Sequence, residues 1–495
     1  MAVAGRAPGG TTGGPRVALI VLAVSAALVA ATGIVARHAF SQPDTLKYLV
    51  TVLGPLVIVA GCLAPDPVRL FSGAAILVAP FGFVATFAGV ALTPVAVLLV
   101  LAAVVAAFQP SPARGPTPTG TVIVIAVALL LPALALGTAF AHELTWLGLT
   151  LIAGYLAFRI GSQEGGLRFL LSLVVLSAAL QGLLAVYEFA RQTNIDLYSA
   201  HVQQAVGQNA FFRLGRTFRP SGTLPDPIAL GNFLALACPL ALGLSLEAGS
   251  RWARFAWILA GGVIAVGLTL SFSRMSWIAA VAGVLVAVIA LPARRRLMAT
   301  AGVAAVGAAV IVLGLSIGGA DVNARFNSIS NPTSRVNRTY QGDRERQQIW
   351  SAAEAVARRH PLAGTGFGKL EPALGEHLAG APPGLHAHSV YLQFLAEAGL
   401  AGLLALLLIV GHAAVSFVVA LGRRERTLLA GALGALSAVL VTWLTDTSVR
   451  YVELSVPVAF VLGAGIAQRW RTDDADQVVG RPRSASVASI MTSRE

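Results

Sequence analysis

The amino-acid sequence predicts an all-α fold: a polytopic transmembrane bundle of about 12 to 14 spans, with a large, partly helical extracytoplasmic loop. Three observations predict it. Hydrophobic residues fill 56% of the 495 positions and charged residues only 12%, which lies outside the usage of soluble globular domains. Apolar runs long enough to cross a hydrocarbon core as helices recur from Val17 to Trp470, and the alternating pattern of a membrane β-barrel is not seen. Charge gathers at the ends of these runs, most densely at Arg294, Arg295, Arg296 and at Arg423, Arg424, Arg426.

Taken in order, residues 1–15 are rich in Gly, Pro and Thr and lack apolar periodicity, so a disordered cytoplasmic tail is expected. An N-terminal transmembrane bundle over 16–189 follows, with spans near 17–36, 46–64, 70–87, 90–108, 119–140, 145–159 and 169–189. The first of them follows Arg6 and Arg16 as a cleavable signal would, but its apolar length is generous for a signal core, and it reads as a retained span. An extracytoplasmic loop is expected over 190–225. A second set of spans, near 226–246, 255–273, 275–292 and 298–317, occupies 226–317. A large extracytoplasmic loop over 318–394 separates it from the C-terminal spans of 395–472, near 395–421, 427–445 and 452–468, and residues 473–495 form a second polar tail.

Short cytoplasmic loops collect Lys and Arg. With the spans alternating as above, the two arginine clusters fall on one side, joined by Arg69, Arg114, Arg159, Arg168, Arg251, Arg254, Arg469 and Arg471. Both termini are then cytoplasmic. The net charge of +13 reads as anchoring charge toward anionic headgroups of the lipid bilayer, with nothing that suggests nucleic acid. Cys62 and Cys238 sit within or beside spans, offer no disulfide or metal-ligand spacing, and read as packing residues.

The two outward segments are too long and polar to be connectors. The first carries Arg191, Arg213, Arg216 and Arg219 against Glu188, Asp196 and Asp226, a concentration of positive charge suited to an external anion; long loops also translocate regardless of charge. The second becomes helical over 343–359, where Ile349, Ala352, Ala353 and Val356 recur at helical spacing and Pro361 follows. Gly364-Thr365-Gly366-Phe367-Gly368-Lys369 reads as a hinge or turn, since a phosphate-cradling loop would need glycine at Ala363 and a hydroxyl at Leu370. His386-Ala387-His388-Ser389 then opens the helix that re-enters the membrane. Each of the three has a plainer reading: Arg274, in a tight hairpin, as a snorkelling interfacial side chain, Arg346 as an ion-pair partner of Asp343 and Glu345, and the His388 imidazole as a helix cap or a partner of a backbone carbonyl.

These segments together resemble the O-antigen ligase and polymerase family of bacterial membrane glycosyltransferases. Ser273-Arg274, Arg346-Gln347-Gln348-Ile349-Trp350 with Pro361 and Gly364-Thr365-Gly366, and His388-Ser389-Val390-Tyr391-Leu392-Gln393 with Glu397 and Gly399 match that family's core in order and approximate spacing. Arg219-Pro220-Ser221-Gly222-Thr223 matches a further element. The chain departs from the pattern at Pro225-Asp226-Pro227 and at Ser389. The resemblance implies transfer of a glycan from an undecaprenyl-diphosphate-type carrier to a glycan, lipid or protein acceptor hydroxyl at the outer face of the cytoplasmic membrane, without cofactor or metal. It implies that Arg274 and Arg346 grip the diphosphate, that His388 is the general base, and that Arg219, Arg216, His386 and Tyr391 contact substrate around them. The rival class is a polyprenyl-linked sugar flippase or other secondary transporter, whose signs, internal repeats and mid-span ionisable residues, are not evident in the chain.

Overall fold

A computed structural model describes residues 64–81, 85–87, 90–109, 118–138, 140–194, 213–214, 217–308, 312, 338–378, 385–422, 425–447 and 450–478. The expected span 17–36, nearly all of 46–64 and both expected tails, apart from residues 473–478, lie outside the described residues, as does Cys62. The first group of helices is α1 (Pro67–Val78), α2 (Pro94–Ala107), α3 (Pro118–Leu136), α4 (Phe140–Gly161) and α5 (Gly166–Arg191). The second comprises α6 (Pro227–Glu247), α7 (Arg251–Leu270) and α8 (Arg274–Ala290), with further helical backbone over 293–308. Then come α9 (Arg338–Arg359), α10 (Leu370–Gly375), α11 (Val390–Ala420), α12 (Arg426–Thr442) and α13 (Val452–Val478). Seven of these helices are long and apolar enough to cross a membrane, and four shorter ones are apolar. The protein is a polytopic helical membrane protein.

Local sequence sets several of the helix starts. Asp66, Thr93 and Asp226 each precede a proline, and each side chain accepts a backbone N–H of the first turn: Arg69 N at 3.0 Å, Ala96 N at 3.2 Å, and Ile228 N and Ala229 N at 2.7 and 2.9 Å. The cap satisfies an N–H that the helix leaves orphaned, and proline at the first position has none to lose.

One expectation fails here. Apolar helices were expected over 70–87 and 90–108, but helix α1 ends at Val78, and strand β1 (Ala85–Phe87) pairs antiparallel with β2 (Val90–Leu92) before α2 begins. Pro80 supplies no N–H to extend α1, and Thr86 and Val90 favour extended backbone. Hydropathy alone does not separate such a short apolar strand from a helix. A second small pair, β3 (Arg213–Leu214) with β4 (Thr217–Phe218), leads into α6.

Lipid tails are as apolar as leucine, so helices in a bilayer associate through close packing of small residues. Helices α8 and α12 do so at Gly283 and Gly434: a Cβ on Gly434 would stand 2.3 Å from the Gly283 carbonyl oxygen, and one on Gly283 2.6 Å from that of Gly434. Helix α6 sits between α7, α8 and α12 and is largely buried, whereas α7 leaves Trp252, Phe255, Ile258 and Leu259 exposed among the described residues, an apolar surface suited to lipid.

Helix α11 is broken at Gly399, whose φ of 65° and ψ of −163° only glycine adopts readily. The break diverts backbone groups to the loop after α9. The Ala396 and Glu397 carbonyls accept from Thr365 N and Gly366 N at 3.0 and 2.9 Å, while Leu400 N and Ala401 N donate to the Pro361 and Leu362 carbonyls at 2.8 and 3.2 Å. The Gly364-to-Lys369 segment is thus a backbone-docked insert in a split helix. These four groups at the kink thus find partners in the loop, as a buried backbone requires.

Candidate functional site

The site is built from four pieces of backbone at one end of the bundle. The first is the segment 219–224. Glu188 of α5, fully buried, accepts from Ser221 N and Gly222 N at 3.0 and 2.8 Å. Gln181 accepts from Thr223 N at 2.9 Å and donates to the Thr223 hydroxyl at 2.8 Å, and that hydroxyl donates to the Pro80 carbonyl. So fixed, Arg219 is 8% exposed and its Nε donates to the Ser271 carbonyl at 3.1 Å. Burial lowers its pKa to about 10, with Asp226 opposing and Arg346 adding to the shift; the guanidinium stays charged at neutral pH.

The second piece is the turn between α7 and α8. Phe272 has a φ of 53° and stacks on Phe189 at 6.3 Å, and Trp277 Nε1 donates to the Leu268 carbonyl at 2.8 Å. A polar relay continues from it. The Ser273 and Ser276 hydroxyls are 2.7 Å apart, Ser276 donates to Asn232 Oδ1 at 2.8 Å, and Asn232 Nδ2 donates to Asp446 at 2.6 Å. Half-buried Arg274 opens α8 three residues beyond Ser271, the residue whose carbonyl holds Arg219.

The third piece is α9. Ile349, Ala352, Ala353 and Val356 are all buried and pack against Leu370 and Leu374 of α10 and against Ala387 and Ala396 at the start of α11. The three- and four-residue apolar period predicted this face, and the surface it covers is protein. Arg346, half-buried, lies one helical turn before Ile349.

The fourth piece is the turn before α11. His388 has a φ of 48°, a conformation a non-glycine residue holds only where its surroundings impose it. They do so here: Ala387 N donates to Gln393 at 2.9 Å, while Val390 N and the Ser389 hydroxyl both donate to the Trp443 carbonyl at 2.9 and 3.3 Å. Burial first, then the neighbouring His386 and Arg346, pushes the His388 imidazole down to about 3. It is neutral at physiological pH.

Arg346 therefore acts electrostatically on both Arg219 and His388, and the ring of His386 lies 4.2 Å from that of His388. Arg219, Arg346, His386 and His388 share one neighbourhood, with Arg274 on the turn that holds Arg219. Tyr391 is committed otherwise: its hydroxyl donates to the Leu440 carbonyl at 3.1 Å and its ring meets Trp443 edge-on. Arg216 lies outside the described residues.

From the sequence, Glu188, Asp226 and Glu397 are named but given no role at the site, and Asn232, Asp446 and Arg450 belong to no motif. Asp226, whose carboxyl burial and the nearby Asp446 push up from the ordinary carboxylate range, stands beside Arg219. Asp446 accepts from Asn232 in the relay from the α7–α8 turn, and Glu397 pairs with Arg450 and accepts from Gly368 N. The only sign of these residues in the sequence is their polarity inside or next to an apolar run, which is costly in a bilayer unless paired. Among the described residues no group of three His, Cys, Asp or Glu is arranged to hold a metal ion.

Clustered guanidiniums with a neutral imidazole have a definite chemical capacity: they hold a polyanion, stabilise charge that grows on it, and accept a proton beside it. Residues 257–407 match the family model described as O-Antigen ligase. The matched stretch contains Arg274, Arg346, His386, His388 and Glu397, and leaves Arg219 and Arg450 outside. No curated protein matches the chain.

Proposed function

We propose, taking as premise the O-antigen ligase domain that residues 257–407 carry, that this membrane protein is a glycosyltransferase drawing on an undecaprenyl-diphosphate-linked glycan at the outer face of the cytoplasmic membrane. Both termini are cytoplasmic in this reading. The observation that carries it is the position of Arg346, whose charge is felt at both Arg219 and His388: a site for a diphosphate and a site for a proton acceptor then adjoin.

Arg346, Arg274 and Arg219 grip the diphosphate. The acceptor hydroxyl gives its proton to the His388 imidazole as its oxygen attacks the anomeric carbon. The bond from that carbon to the diphosphate oxygen breaks, and its electron pair stays on the diphosphate, where the guanidiniums stabilise it most in a water-poor site. No metal is required, because arginine supplies the positive charge. Attack opposite the diphosphate inverts the anomeric centre. Burial is the main cause of the low His388 basicity and Arg346 a smaller one; an anionic diphosphate offsets the Arg346 part, so the base gains some strength once donor is seated.

Purified protein in nanodiscs, given undecaprenyl-diphosphate-linked oligosaccharide and no nucleotide sugar, is expected to release undecaprenyl diphosphate. Scoring chain growth against transfer to added lipid or protein acceptors separates polymerase from ligase. Passage of the donor across the membrane with no new glycosidic bond would instead make the protein a flippase.

A further inference from the structure

Arg450 stands outside the set of cations assigned to the donor, yet its guanidinium joins three separate parts of the bundle. It lies just before α13 and is mostly buried, with 20% of its side chain exposed. Its Nη1 donates to Glu397 Oε2 at 3.0 Å and its Nη2 pairs with Glu143 of α4, both carboxylates being 2% exposed or less. Its guanidinium also lies 6.0 Å from the centre of the Phe367 ring. Glu143 Oε2 has no hydrogen-bond partner among the described residues, so Arg450 is what compensates that enclosed carboxylate.

Two routes lead from this triad to the reacting groups. Glu397 Oε1 accepts from Gly368 N at 3.0 Å, inside the loop that fills the α11 break and follows directly on α9, the carrier of Arg346. On the other side, Arg450 N donates to the Thr447 carbonyl at 3.0 Å, closing the segment after α12. That segment contains Trp443, whose carbonyl holds Ser389 and Val390 beside His388, and Asp446, which holds Asn232. Neither route depends on any group of a substrate.

We propose that Arg450 is a positioning residue: through Glu397 its side chain locks the α9–loop unit that bears Arg346 to the Trp443 segment that sets the His388 turn, with Glu143 of α4 as a further anchor for the guanidinium. Its consequence for turnover rests on the glycosyltransferase reading above. The lock itself does not. Because a buried ion pair is severely destabilised when one member is removed, loss of Arg450 loosens both ends of the lock together and leaves the rest of the bundle in place.

The test is hydrogen–deuterium exchange on the full chain in nanodiscs without substrate, for Arg450→Met, Arg450→Lys and Glu397→Gln. Arg450→Met is expected to speed exchange by roughly tenfold or more both at 365–368 and at 387–390, with α6 and α12 unchanged. Arg450→Lys, which keeps the cation, is expected to restore most of the protection. If Arg450→Met does not fold, Glu397→Gln decides, since glutamine still accepts Gly368 N but loses the ion pair; coupled loosening of both segments supports the lock. Acceleration at one segment alone, or at neither, overturns the proposal. In turnover, Arg450→Met is expected to lose about 100-fold in kcat/KM for the donor from misplaced groups, and Arg450→Lys to recover activity. Such a loss with segments 365–368 and 387–390 as protected as in wild type would make Arg450 act by touching substrate and refute the positioning role. A wild-type protein that transfers no glycan would overturn the functional reading and leave the exchange result standing.

Discussion

The imidazoles of His386 and His388 stand 4.2 Å apart, centroid to centroid, with their planes inclined by 46°. His386 so close makes a proton on His388 costly, and Arg346 adds a permanent positive charge. With burial as the largest cause, His388 titrates near about 3 instead of its usual 6.5. The base is therefore in its proton-accepting form across the physiological range.

The sign of the pH dependence follows. Activity that needs neutral His388 is present above its folded-state pKa and is lost as pH falls through it, so kcat/KM for the free enzyme is expected to stay flat from pH 8 down to about 5. Arg346→Gln removes one cause of the depression. The surviving activity of that variant is expected to acquire an acid limb at higher pH than wild type. A wild-type limb centred near about 6.5, the unperturbed imidazole value, would contradict the geometry at His388.

The same shift has a stability counterpart. The unfolded imidazole takes up a proton near about 6.5 and the folded one near about 3. Stability from this group is full above the unfolded pKa and is lost as pH falls toward the folded one. Thermal unfolding of His388→Asn is expected to show a weaker loss of stability between pH 6 and pH 4 than wild type, compared at equal detergent and salt.

Gly399→Ala tests the break in α11. The substitution places a Cβ 2.3 Å from the Leu362 carbonyl oxygen in a conformation with φ of 65°, and strain of that kind costs roughly 1–3 kcal/mol before the clash is counted. A clear fall in melting temperature is expected, with loss of transfer as the 361–368 loop is displaced. Gly434→Val probes packing alone, forcing α12 off the Gly283 carbonyl, and overpacking of about 1–3 kcal/mol is expected. Wild-type thermal stability in either variant would disprove the corresponding contact.

Tyr391 separates packing from recognition. Its hydroxyl is bound to the Leu440 carbonyl, so Tyr391→Phe is expected to cost about 1 kcal/mol of stability and to leave donor KM unchanged. A donor KM raised severalfold would return this side chain to the substrate.

Much of the helical framework could be read from hydropathy, because backbone in a bilayer has few options besides helix. The buried face of α9 was legible for a different reason: Ile349, Ala352, Ala353 and Val356 repeat with helical period in a segment that is otherwise polar. Arg346 and His388 stood out in the sequence as a cation and a titratable imidazole where such groups are sparse. What was not legible depended on backbone detail. The hairpin Ala85–Leu92 shares its hydropathy with helix, and the kink at Gly399 is one glycine in an apolar run rich in them. The roles of Glu397 and Arg450 depend on a loop folding back across more than fifty residues, a distance over which local pattern carries no information.

Single-turnover transfer from undecaprenyl-diphosphate-linked oligosaccharide, wild type against His388→Ala with donor saturating, tests the central claim most directly. Loss of about 10²- to 10⁴-fold in the transfer rate is expected when a general base is removed, with the donor still bound. Transfer by the His388→Ala protein at the wild-type rate would contradict the account.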